Sequence, residues 1–157
     1  MLQTVVQTPM FFFGTLMDLD VLEIVSGQSR AQLTCAPASA EGVVQRNVIG
    51  QDFPVLVDAP GAHMTGRIVY GLTETARDRI LFYEGEEYRV CDITVRTADG
   101  GKVACHYFAD NAVYEISDVP WDFDAWQRTQ KTEFLSRARR FMALYGTMSA
   151  AAADAYW

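Results

Sequence analysis

"YRVCDITVRTADGGKVACHYF", Tyr88 to Phe108, is the stretch on which the fold turns. Cys91, Ile93 and Val95 alternate with Asp92, Thr94 and Arg96, the period of two that sets apolar side chains on one face of a strand and polar ones on the other. "ADGG", Ala98 to Gly101, then supplies residues that accept the positive φ of a tight turn. An antiparallel hairpin follows.

Working outward, "TETARDRILFYEG" reads as a helix from Thr73 to about Tyr83, with Thr73 and Ala76 at its start and Gly85 at its stop. Shorter apolar runs predict strands at Val5 to Phe13, interrupted by Pro9, and at Ala31 to Ala36, Gly42 to Val48, Pro54 to Val57 and Thr65 to Leu72. Between the first two, "LMDLDVLEIVSGQ" reads as a short helix capped by Asp18 or Asp20. Val21, Leu22 and Val25 form its buried face, and Gly27 ends it. One long helix is expected from about Asp122 to Tyr145, with Phe123, Trp126, Phe134, Ala138, Phe141 and Tyr145 on one stripe. The closing "SAAAADAYW", residues 149–157, has no counterpart in this pattern and reads as a tail behind a single domain of residues 1–148. Neither repeats nor an internal linker interrupt the chain. The pattern is that of one α+β domain with a mostly antiparallel sheet curled toward a barrel.

Composition narrows the function. A chain of 157 residues with 50% hydrophobic residues can bury one core. Its formal net charge of -7 opposes binding to a phosphate backbone, which draws on clustered Lys and Arg. The single basic run, "RARR" at Arg137 to Arg140, falls late in the long helix, where cations complement the carbonyl end of the dipole. Cys35, Cys91 and Cys105 lack metal-ligand spacing and would leave one thiol over if two paired, so a reducing cytoplasm is expected. No basic-then-apolar leader is evident, and no apolar run approaches the ~20 residues that span a bilayer. A soluble protein without nucleic-acid or membrane partners is the expectation.

Common catalytic constellations are missing. His63 and His106 have no ligand-spaced companions, so neither a metal site nor a Ser/His/Asp triad is expected. No phosphate loop or dinucleotide fingerprint occurs. Cys105 and His106 are adjacent but point to opposite faces of their strand, which makes Cys105 a core residue. Carboxylates remain. In "FYEGEEYRV", Glu84 lies three residues after Leu81 and four after Ile80, beside the apolar stripe, whereas Glu86 and Glu87 follow Gly85 into a turn that water reaches. A carboxylate held among Ile80, Leu81, Phe82 and Tyr83 loses hydration and moves toward a pKa useful for proton transfer. Taken alone, Glu84 also fits an ordinary surface glutamate.

"MFFFGTL", Met10 to Leu16, supplies a second fragment. A strand stopping at Gly14 can turn sharply and aim successive N–H groups at one point, a concavity that holds a carboxylate or an oxyanion. The positive end of the next helix would add to it. A plain strand-to-helix turn has the same spacing.

Together the two fragments resemble the gamma-glutamylcyclotransferase-like superfamily, in its branch named for avirulence-induced genes. Phe13, Gly14, Thr15 and Leu16 match the family's loop after the first strand, and Glu84, Gly85, Tyr88 and Arg89 match its glutamate motif, over roughly residues 8 to 110. The resemblance implies a small mixed, mostly antiparallel β-barrel with flanking helices. It implies that the Gly14 loop binds a substrate α-carboxylate through backbone N–H groups, that Glu84 is the catalytic proton carrier, and that Tyr88 lines the pocket. Phe13 stands where the family commonly has tyrosine, so the loop offers no phenol there. The activity implied is cyclisation of a small γ-glutamyl amide to 5-oxoproline with release of the amine, by an acyltransferase or lyase needing neither metal nor cofactor. Two other readings stand beside it. One is a non-catalytic binding or accessory domain that keeps the pocket, since the family also occurs beside hydrolase domains. The other is an oligomer-forming unit with Trp121 and Trp126 at an interface, residues that core packing accounts for equally well.

Overall fold

Strand β4 spans Tyr88–Thr97 and β5 spans Lys102–Asp110, paired antiparallel from Tyr88↔Asp110 to Arg96↔Lys102, so the hairpin of residues 88–108 is present. Gly100 takes φ 87° at its turn. The structure is a computed structural model that describes residues 4–85, 88–110 and 113–157.

Three further strands close a ring with this hairpin. They are β1 (Met10–Phe12), β2 (Thr34–Val48) and β3 (Pro54–Tyr70). The hydrogen-bonded order β3-β1-β5-β4-β2 returns to β3 through the β2–β3 pairing. Among the described strands, only β1 and β5 run parallel, with Met10 opposite His106. The result is the mixed, mostly antiparallel barrel. A sixth strand, β6 (Ile116–Pro120), which period-two alternation does not reveal, attaches outside the ring to β2.

The continuous apolar run of β1 has a physical cause. Phe11 joins Ala38, Ala40, Met64, Ile68, Val95 and Cys105 in a cluster drawn from all five barrel strands. Met10 and Phe12 join the opposite cluster, against the helices. A strand buried on both faces needs no polar alternation.

Several expected boundaries are corrected. The four strands expected between residues 31 and 72 are two, because β2 and β3 form one long ribbon from Thr34↔Tyr70 to Asn47↔Pro54. Its register shifts between Glu41 and Val43, where Gly42 has φ 77°. The bulge breaks the alternation without ending the strand. Residues 30–32, expected at a strand start, form a 3-10 turn. The first strand is shorter than Val5–Phe13, since Pro9 has no N–H to give a ladder and Val5 makes only an isolated bridge to Thr73.

Helix α1 (Leu19–Ser26) is capped by Asp18, whose Oδ1 accepts from the N–H groups of Asp20 (2.9 Å) and Val21 (3.1 Å). Val21, Leu22 and Val25 are buried and Gly27 ends the helix at φ 74°. Helix α2 (Glu74–Glu84) starts from Thr73, whose side chain accepts from the Ala76 N–H, and stops at Gly85, φ 75°. The single late helix is two, α3 (Phe123–Thr129) and α4 (Lys131–Met142), separated at Gln130, φ -122°. This break lets Trp126 meet Phe134 edge to face at 5.2 Å. Trp121 and Trp126 are both core residues. Arg139 and Arg140 do lie in the last turn of α4.

Residues 149–157 are packed rather than trailing. They form α5 (Ala150–Ala153) and a 3-10 turn (Asp154–Tyr156), with Ala153 fully buried. Trp157 lies 5.1 Å from Phe134 and 5.5 Å from Phe141, ring to ring. Cys35, Cys91 and Cys105 are free thiols; Cys105 is buried in the barrel and burial pushes its pKa up to about 11. Among the described residues no helix is long and apolar enough to cross a membrane.

Candidate active site

Beyond Phe12 the chain leaves the barrel and winds into a single 3-10 turn, Thr15–Met17. The Met17 N–H donates to the Gly14 carbonyl (3.0 Å) and the Asp18 N–H to that of Thr15 (3.1 Å). Among the described residues, the N–H groups of Thr15 and Leu16, at the open start of this turn, have no protein acceptor. Such leading donors are what an anion could satisfy. Gly14 itself has φ -126°, so the reason for glycine is space: a Cβ there would come 3.2 Å from Pro54 Cδ. The expected contribution from the positive end of α1 is corrected, because Asp18 already occupies that end. Lys131 Nζ and Gln127 Nε2 in turn hold Asp18 Oδ2, each at 2.8 Å.

Helix α2 brings the carboxylate to the same place. A cavity of about 120 Å³ is bounded by Phe13, Gly14, Thr15 and Leu16 on one side and by Glu84 and Tyr88 on another. All six residues singled out from sequence therefore line one hollow. Its apolar floor includes Phe11, Phe12 and Phe108. Glu84 is partly exposed, and what it faces is the cavity. Burial pushes its carboxyl from the ordinary 4.5 up to about 8, because the charged form loses hydration there. Burial, then the neighbouring Glu84 charge, raises both the Tyr83 and the Tyr88 phenol far above the usual range, and both stay protonated. Glu86 and Glu87 lie outside the described residues.

Phe13 behaves differently from its loop neighbours. Its ring packs edge-on to Tyr107 (6.3 Å, 65°) and belongs to the barrel cluster, while its carbonyl accepts from Gln45 Nε2. The missing phenol is thus replaced by packing.

Sequence reasoning missed much of the wall. Phe53 and Pro54, from the β2–β3 connection and the start of β3, line the cavity along with Tyr114, and Asp154 and Trp157 come from the last turn of the chain. No local period marks them, since only the folded chain brings them round. Tyr83 was legible as an apolar neighbour of Glu84, but not for its hydroxyl, which lies 2.7 Å from Thr15 Oγ1. Among the described residues no group of three or more His, Cys, Asp or Glu is placed to hold a metal ion. The arrangement offers a carboxyl group short of water, open N–H donors and a largely apolar chamber, features compatible with proton transfer beside a bound anion.

Comparison with known proteins identifies the family and the fold. The family model described as gamma-glutamyl cyclotransferase, AIG2-like, matches residues 10–127. AIG2-like protein A of Arabidopsis thaliana is 24% identical over 134 residues, covering 84% of this chain and 79% of that protein. Protein AIG2 A of the same plant is 24% identical over 141 residues, 84% of this chain and 77% of that one. Among solved structures, an Arabidopsis thaliana protein superposes with TM-score 0.66 at 17% identity, over 94% of this chain and 88% of its own. A structure described as gamma-glutamyl cyclotransferase gives TM-score 0.59 at 13% identity, over 84% and 86%. The two superpositions show the shared fold.

Proposed function

The chain belongs to the gamma-glutamyl cyclotransferase, AIG2-like family, and from that premise we propose that it cyclises a small γ-glutamyl amide to 5-oxoproline. The observation that carries this reading is one shared hollow. A carboxyl group kept short of water and the residues of a tight turn with open N–H donors line the same cavity.

The reaction needs little beyond that. The donors of Thr15 and Leu16 hold the α-carboxylate in substrate and transition state alike, while the surrounding cavity wall keeps the glutamyl chain curled. Ionised Glu84 takes a proton from the α-ammonium, and the freed amine attacks the γ-carbonyl to close the five-membered ring. The carbonyl oxygen becomes an oxyanion, then re-forms as the bond to the leaving nitrogen breaks. Glu84 returns its proton to that nitrogen and then relays the second proton of the ring nitrogen to the departing amine, which leaves as an ammonium beside neutral 5-oxoproline lactam. Atoms and charge balance with no co-reactant.

Nucleophile and electrophile share one molecule, so holding the near-attack pose supplies much of the effect, up to roughly 7 to 11 kcal/mol in favourable cases. Proton transfer by Glu84 adds about two to four powers of ten. The phenol of Tyr88, neutral and on the cavity wall, lines the substrate's path.

The test is a panel of γ-glutamyl amino acids and amines, assayed by chromatography for 5-oxoproline. We expect Glu84→Gln to lose at least about a hundredfold in rate and Glu87→Gln to retain the parent rate. Equal turnover by the two variants would mean that another group moves the proton.

A further inference from the structure

We propose that Tyr83 is a positioning residue of the site, its hydroxyl tethering Thr15 so that the anion-binding turn stays in register with the helix that carries Glu84. The assignment rests on the reaction proposed above for the role of that turn.

Two observations carry it. The Tyr83 Oη and Thr15 Oγ1 atoms lie 2.7 Å apart although 68 residues separate them in the chain. Both residues also line the cavity. Tyr83 immediately precedes Glu84 in the last turn of α2, and neighbours in a helix diverge by about 100° around its axis. One residue can therefore hold the turn while the next addresses the substrate.

The tether is itself held. Trp157 meets the Tyr83 ring edge-on at 6.0 Å and 77°. The guanidinium of Arg137 lies 5.2 Å over the Trp157 ring and is fixed to Asp52 at 2.7 Å. Thr15 is buried, so losing the phenol removes the protein partner of its hydroxyl. Phe13 provides no hydroxyl that could substitute. The buried phenol of Tyr83 stays protonated, which keeps the pair neutral whatever the state of Glu84.

An anchor that acts equally on substrate and transition state shows itself in KM and not in kcat. On the compound turned over fastest in the γ-glutamyl panel, Tyr83→Phe is expected to raise KM about tenfold, the size of one lost hydrogen bond, with kcat held. Calorimetry should show the same fold-change in Kd for 5-oxoproline. Thr15→Val should do likewise, and the double variant should be no worse than either single one, since both remove one link. Losses that multiply in the double variant overturn the proposal, as does a lower thermal midpoint with KM and Kd unchanged. A parent protein that binds 5-oxoproline but forms none from any panel member overturns the reaction, and the Kd cycle then decides Tyr83 by itself. A parent that does neither overturns both.

Discussion

Glu84 sits where a carboxylate is costly, and the cost has a sign that can be measured. Burial lifts its pKa from the ordinary 4.5 to about 8, so between those values the folded chain holds a proton that the unfolded chain has released. Stability then falls as pH rises, by up to roughly 1.4 kcal/mol per pH unit, the reverse of an ion-paired carboxylate. Below the lower value both states are protonated and the penalty disappears. Glu84→Gln cannot ionise. It is expected to match the parent at about pH 4 and to exceed it by several kcal/mol at about pH 8, read as urea midpoints that separate with rising pH. The parent's kcat/KM should climb over the same range as the base form appears. Midpoints that stay parallel would mean that water reaches Glu84 freely. Helical spacing from Ile80 marked this residue in the sequence, but Leu81, expected on the same buried stripe, is 42% exposed. The depth of Glu84 was not legible, because the cavity around it is built by residues from elsewhere in the chain.

Among the elements, β1 does most to place the site, since it delivers the turn at Gly14. It can lie against β3 only because Gly66 has no side chain. A Cβ at that position would collide with the Phe12 carbonyl and come within 2.6 Å of Phe11 Cζ, and a backbone group in a ladder cannot step aside. Gly66→Ala is expected to cost about 3 kcal/mol or more, measured by denaturant unfolding, with activity lost in proportion as β1 is displaced. An unchanged midpoint would show that the ribbon gives way more easily than its packing suggests. Caps and stops were read correctly for α1 and α2 because Asp18, Thr73, Gly27 and Gly85 act on their own neighbours. The break at Gln130 was not, because the apolar stripe runs on through it and only the meeting of Trp126 with Phe134 favours the bend.

At the scale of the whole molecule, the last residue closes a circuit. Trp157 packs against Tyr83, Phe134 and Phe141 and under Arg137, joining α2, α4 and, through Asp52, the turn between β2 and β3. Trp157→Ala is expected to cost about 3 kcal/mol and to leave the cavity open on that side, visible as a lower thermal midpoint and faster amide exchange along α4. A midpoint within a degree or so of the parent would show the terminal segment to be loosely held. Nothing local announces this role, which explains why residues 149–157 read as a tail. What the amino-acid order determined unaided were features that depend on near neighbours: the period-two hairpin, the helix caps, the glycine stops and the two short motifs that mark the family. Only tertiary structure decided that both motifs face one hollow, that β2 and β3 are single bent strands, and that Tyr83 reaches Thr15. Those features depend on which distant surfaces bury each other, and that free energy belongs to the assembled core.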